Sequence, residues 1–130
     1  MTTFVSYWTG ATPRQLKDIP DLPIVQFVTA LDGVWGTWCW TDTVQADPQF
    51  WFHSVAPLFP EDIPEKLLRG KMANLIRRGL IDGCPCGCRG DYEATDKGRA
   101  FVAERLAAGE TGCAPEMLER ARLVVAERRR

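Results

Sequence analysis

The segment from Glu65 to Thr95 constrains the fold most, because a helical pattern, a glycine stop and two strand-like runs follow one another without a linker. At ~100° per residue, the apolar side chains of Glu65 to Arg78 fall on one side of a helix. They are Leu68, Met72, Leu75 and Ile76. Gly79 can adopt the left-handed conformation that commonly ends a helix. This order predicts a helix packed on a core and followed by a β-hairpin.

The predicted hairpin begins at Leu80-Ile81, turns through the sequence GCPCGCRG and returns from Asp91 to Thr95. Thr95 can cap a further helix, which Gly109 and Gly112 interrupt. A last helix begins at Pro115 and carries one apolar stripe. The stripe consists of Met117, Leu118, Ala121, Val124 and Val125.

Two more helices and a strand are predicted upstream. The first helix begins near Asp21, which can cap it, and ends at Asp32-Gly33. Its apolar face consists of Ile24, Phe27, Val28 and Leu31. Alternation from Gly36 to Thr41 predicts a short strand, and the run from Gln49 to Phe59 predicts a second helix. A short turn then leads to the Glu65 helix, so the two helices form the core of a helix-turn-helix.

These elements predict a mainly α fold with a small β wing, in a single domain of the winged helix-turn-helix type. Residues 1–20 form an N-terminal arm, residues 21–108 the winged-helix domain and residues 109–130 a C-terminal helical extension. The 130 residues are 45% hydrophobic, which suits one core of this size. The aromatic residues of the arm can pack on this domain or on a neighbouring subunit.

Charge and segment composition restrict the function. Sixteen basic and seventeen acidic residues give a net charge of −1, so only a local basic patch could attract nucleic acid. No apolar run approaches the ~20 residues of a membrane span. The N-terminus lacks the pattern of a signal peptide, and the five cysteines are odd in number. We therefore expect a cytoplasmic chain with no membrane contact.

The sequences ANLIRRGLIDG and GDYEATDKGRAFV resemble the recognition helix, the wing and the following helix of PadR-like and MarR-like winged-helix regulators. Tyr92, Thr95 and Gly98 stand where those families have a tyrosine, a threonine and a glycine. The resemblance implies DNA binding by the Glu65 helix and dimerisation through the last helix. The CPCGC tip departs from those families, and their wings are usually longer and more basic.

The segments PEKLLRGKMANLIRRGLIDG and CGCRGDY also resemble small proteins of actinobacterial tailed phages. That resemblance implies a second class of function, a structural or adaptor protein of the phage particle. In that class the winged helix docks on protein, and the arm and the last helix make the contacts. The location would then be the virion or the host cytoplasm.

The face of the Glu65 helix opposite its apolar side is the predicted DNA contact. It carries Lys66, Gly70, Asn74 and Arg77, with Lys71 and Arg78 on the flank. Asn74 can pair with adenine and Arg77 with guanine or phosphate, while Lys66, Arg69, Lys71 and Arg78 can neutralise phosphates. Arg89 at the wing tip can add one contact. The alternative is a solvated basic helix face without a ligand.

Cys84, Cys86 and Cys88 are the candidate metal ligands, because their thiolates alternate around one turn and zinc favours tetrahedral thiolate sites. The fourth ligand would come from Cys39, His53 or Cys113. The alternatives are a reduced turn without any cofactor, or a disulfide that includes Cys88. One histidine and scattered acids assemble no catalytic site, so we predict that the protein is not an enzyme.

Overall fold

The computed structural model describes residues 6–34, 36–37, 54–60, 62–83 and 91–128. Within these ranges the chain is mainly helical with a small antiparallel sheet, as predicted. The elements are α1 (Asp21–Ala30), β1 (Gly36–Thr37), α2 (Glu65–Arg77), β2 (Ile81–Gly83), β3 (Asp91–Ala94), α3 (Asp96–Ala107) and α4 (Pro115–Arg128). Short 3-10 turns lie at Leu16–Asp18 and Ala56–Leu58.

The sheet has the strand order β1-β3-β2, and both pairings are antiparallel. Tyr92 on the central strand lies opposite Gly36 on one side and Gly83 on the other. Only 1% of the Tyr92 surface is exposed, so the tyrosine of the predicted motif is a core residue. The predicted pairing of β2 with β3 is confirmed. The strand predicted from Gly36 to Thr41 is confirmed at Gly36–Thr37, which pair with β3, and residues 38–41 lie outside the described ranges.

The core forms around α1, which packs against β3, α3 and α4. Five residues of α1 are buried, namely Leu22, Ile24, Val25, Phe27 and Val28. The apolar face predicted for α2 is confirmed at Leu68, Met72 and Leu75, which are buried, and Ile76 is partly buried. This packing fixes which face of α2 can meet solvent or a partner.

The second predicted helix is wrong in the part that the structure describes. The chain forms a 3-10 turn at Ala56–Leu58 and is not α-helical from Ser54 to Phe59. Pro57 explains the difference, because a proline ring lacks an amide donor and clashes with the preceding helical turn. Residues 49–53 of that prediction lie outside the described ranges.

The junction between α2 and α3 depends on Gly79, Thr95 and Gly98. Gly79 has a φ of 78°, which confirms the predicted left-handed stop. The Thr95 hydroxyl donates to the Gly79 carbonyl at 2.7 Å and accepts from the Gly98 amide at 2.9 Å. The predicted cap of α3 is therefore confirmed, and the same side chain also ties α3 to the end of α2.

The N-terminal arm packs on this chain. The Tyr7 amide donates to the Pro57 carbonyl and the Ser6 hydroxyl to the Phe59 carbonyl, both at 2.7 Å. The Thr12 hydroxyl donates to the Asp62 carboxylate at 2.7 Å. The arm thus follows the segment that leads into α2. Among the described helices, none combines the length and apolar character needed to cross a membrane.

Candidate nucleic-acid interface

Three cations project from the solvent side of α2. Lys66, Arg69 and Arg77 are exposed, and we call them the basic stripe. At ~100° per residue their directions fall within about 80° of one another, with Ala73 between them. These residues were predicted for the DNA face, and the structure brings them together on one side of the helix.

Lys71 does not belong to this surface, which corrects its prediction as a phosphate contact. Its side chain is buried, with 4% of the residue surface exposed, and its ammonium group forms an ion pair with the Asp21 carboxylate of α1. An uncompensated charge at that depth would be costly, so the pair is needed once the lysine is inside. Lys71 therefore joins α1 to α2 and is not available to a phosphate.

Arg78 is exposed but also engaged by Asp21. Its Nη2 atom lies 2.9 Å from Asp21 Oδ2, and its Nη1 atom donates to Asn74 Oδ1 at 3.1 Å. Burial raises the pKa of the Asp21 carboxyl, but hydrogen bonds from Arg78 and Lys71 outweigh burial and hold that pKa below its ordinary value. The hydrogen bond that Arg78 donates to Asp21 raises the pKa of Arg78. A pairing of Asn74 with adenine would therefore share or replace the hydrogen bond that its side-chain oxygen accepts from Arg78.

The prediction that Asp21 caps α1 is also wrong. Pro20 occupies the N-cap position of α1, and no side chain caps that end. Asp21 lies in the first turn of α1, where a negative charge is favourable to the helix dipole. The Asp21 carboxylate forms ion pairs with Lys71 and Arg78 and does not cap the helix.

Gly70 faces the arm. A Cβ atom added to Gly70 would lie 3.6 Å from Leu16 Cδ2, which is an ordinary van der Waals distance. The 3-10 turn Leu16–Asp18 therefore lies against the flank of the predicted DNA face of α2.

The wing tip lies outside the described residues, including Arg89 and the candidate zinc ligands Cys84, Cys86 and Cys88. Cys39 and His53 lie outside them as well. Cys113 is described and buried, and burial raises its pKa to about 12. No group of metal-ligating side chains occurs among the residues that the structure describes. The zinc site stays a prediction, and metal analysis of protein purified under reducing conditions tests it.

A groove of about 360 Å³ lies between the arm and the segment that joins α3 to α4. Its walls include Tyr7, Trp8, Pro23, Phe59 and Cys113. Among the described residues that line it, none is charged.

Comparisons of the chain with protein-family models, with curated proteins and with solved structures gave no match. The function is therefore inferred from the residues of this chain. Sequence reasoning missed Asp21 as the partner of Lys71 and Leu16 as the neighbour of Gly70. Both contacts join residues about 50 positions apart, beyond the reach of local patterns.

Proposed function

We propose that this chain is a non-enzymatic winged-helix protein that binds double-stranded DNA through α2. The strand order β1-β3-β2, with α2 immediately before the β2–β3 hairpin, supports the winged-helix assignment. In that fold the helix before the hairpin enters the major groove. The observation that carries the proposal is the basic stripe on the outer side of this helix.

The electrostatics of the described surface favour α2 as the contact. The helix carries one acidic residue, Glu65, against the three cations of the basic stripe, and Lys71 is already neutralised by Asp21. Because the whole chain has a net charge of −1, this local surplus must supply the attraction to phosphate. We therefore expect a short interface with few phosphate contacts.

The test is fluorescence anisotropy with a labelled duplex over a series of salt concentrations. We expect Lys66→Ala and Arg77→Ala each to weaken binding and to reduce the slope of log K against log salt by about 1. Arg122→Ala is the charge-matched control, because Arg122 is exposed on α4 and paired with Glu119. Absence of binding at low salt would contradict the proposal, as would an equal effect of the control.

A second candidate function is that of a structural or adaptor protein in a tailed-phage particle. The observation in its favour is that the arm already covers the Gly70 flank of α2, while Arg78 is held by Asp21. Both features reduce the part of the α2 surface that DNA could contact. In that case the protein would co-purify with the assembled particle, and the Lys66 and Arg77 variants would bind the particle as the wild type does.

A further inference from the structure

The arm carries an exposed lysine on the turn that packs against α2. Leu16 lies over Gly70, and Lys17 is the next residue of the same 3-10 turn. Lys17 is exposed, whereas Pro13 before the turn and Ile19 after it are buried. The turn is closed by hydrogen bonds from the Asp18 amide to Gln15 and from the Ile19 amide to Leu16, at 3.0 and 3.1 Å. Lys17 is thus carried by a fixed piece of backbone and not by a free tail.

We propose that Lys17 is part of the DNA interface and contacts a backbone phosphate next to those held by the basic stripe. This inference rests on the proposed function. The 3-10 turn packs on the flank of α2, so DNA that meets the stripe also passes close to the turn. A cation on an ordered backbone loses less conformational freedom on binding than one on a mobile arm.

The neighbouring charges are compatible with this role. Arg14 is exposed on the N-terminal side of the turn, and Asp18 is the one acidic residue within it. Asp62 accepts a hydrogen bond from Thr12, and Glu65 begins α2. The Thr12 hydroxyl leaves the charge of Asp62 in place, so Asp18, Asp62 and Glu65 offset Arg14 and Lys17. The phosphate contact therefore depends on the exposed Lys17 side chain and not on a local surplus of positive charge.

Leu16 helps to position the turn that carries Lys17. Changing Leu16 therefore tests whether Lys17 contacts a phosphate from a fixed position or only attracts DNA through its charge. In Leu16→Ala the side chain that meets Gly70 is lost, which weakens the hold of the turn on α2 while Pro13 and Ile19 still anchor its two ends. Lys17→Arg keeps the charge, and Lys17→Ala removes it. If Lys17 acts from its fixed position, Leu16→Ala and Lys17→Ala must not be additive, because each removes the same phosphate contact.

The experiment measures binding of the full chain to one labelled duplex over a series of salt concentrations, for the wild type, the three single variants and the double variant Leu16→Ala/Lys17→Ala. We expect Lys17→Ala to reduce the salt slope by about 1 and Lys17→Arg to keep it. In the Leu16→Ala background, Lys17→Ala should have little further effect. Circular dichroism melting of each variant shows whether the fold is retained.

Three results overturn the inference in different ways. If the wild type binds and the Lys66 and Arg77 variants weaken binding while Lys17→Ala matches the wild type, the proposed function stands and the role of Lys17 is wrong. If the wild type does not bind at low salt, both fail. Full additivity of Leu16→Ala and Lys17→Ala would show that Lys17 acts only through general attraction, which also overturns the fixed contact.

Discussion

Gly70 in α2 and Gly98 in α3 lie inside helices, and their surroundings differ. At Gly70 an added Cβ atom would make an ordinary contact with Leu16 at 3.6 Å. At Gly98 it would lie 2.2 Å from the Leu80 carbonyl oxygen, closer than any backbone tolerates. Gly98 is therefore required by the close approach of α3 to the start of the hairpin, and Gly70 is not required by the fold.

These two glycines give opposite predictions for the same substitution. We expect Gly70→Ala to stabilise the protein by about 0.5–1 kcal/mol, because alanine favours the helix and fits against Leu16. We expect Gly98→Ala to destabilise it by about 1–3 kcal/mol, because the backbone near Leu80 must move. Urea unfolding of both variants measures the two changes. A loss of stability in Gly70→Ala would show that the arm packs more tightly on α2 than the 3.6 Å distance indicates.

At the scale of elements, one carboxylate holds α1 and α2 together. Asp21 on α1 forms ion pairs with the buried Lys71 of α2 and with the exposed Arg78, the C-cap residue about two turns further along. Removing the carboxylate would leave the Lys71 ammonium group buried without its partner. The ion pairs of Asp21 therefore help to fix the orientation of α2, the helix that carries the basic stripe.

We expect Asp21→Asn to lower the free energy of unfolding by roughly 3 kcal/mol, the range of a broken buried pair. Glu119→Gln is the matched control, because it makes the same chemical change in the exposed Glu119–Arg122 pair. Exposed pairs contribute about 0–1 kcal/mol, so the control should stay close to the wild type. Equal losses in the two variants would contradict the structural role of Asp21.

The same carboxylate predicts a dependence of stability on pH. The pKa of Asp21 in the folded chain lies below its ordinary value of 3.8, so folding favours the ionised form. Its contribution is complete above that ordinary pKa and is lost as the pH falls through the folded pKa. The difference in stability between wild type and Asp21→Asn should therefore be constant near neutral pH and shrink below about pH 4. Urea unfolding at several pH values measures this, and a difference that persists under strongly acidic conditions would contradict it.

Local patterns predicted the elements better than the contacts between them. The periodicity of α2 identified Leu68, Met72 and Leu75, because burial repeats with the helical turn. It also placed Lys71 on the flank, but burial of a lysine depends on Asp21, which is 50 residues away. Pro57 carried a local signal against the second helix that the apolar spacing of Val55, Ala56 and Phe59 obscured.

At the scale of the whole molecule, the surfaces predicted for self-association are largely used within one chain. Met117, Ala121 and Val124 of α4 are buried, and α4 packs against α1. The arm bonds to residues 57–62 of its own chain. The apolar stripe of α4 was recognisable in the sequence. The pattern alone does not predict whether the stripe packs on the same chain or on another copy.

We therefore expect a monomer of 14.6 kDa in solution. A stable dimer usually buries about 1,600 Å² of surface. Among the described residues the large exposed apolar side chains are Leu16, Leu106 and Leu123, which belong to three different elements. Light scattering during size-exclusion chromatography at several concentrations measures the mass, and twice the monomer mass at micromolar concentration would contradict the expectation.

If α2 binds DNA as proposed, a monomer also changes the length of DNA that is needed. Dimeric helix-turn-helix regulators need two half-sites about 34 Å apart, whereas a monomer with one α2 needs a single site. A duplex of about 12 base pairs, little more than one helical turn, should then bind one chain as tightly per site as a longer duplex. Titration of the short and the long duplex measures this affinity. Cooperative binding of two chains to the longer duplex alone would contradict this expectation. Two copies of the basic stripe would then be needed for binding, and the two chains would contact each other through a surface other than the buried stripe of α4.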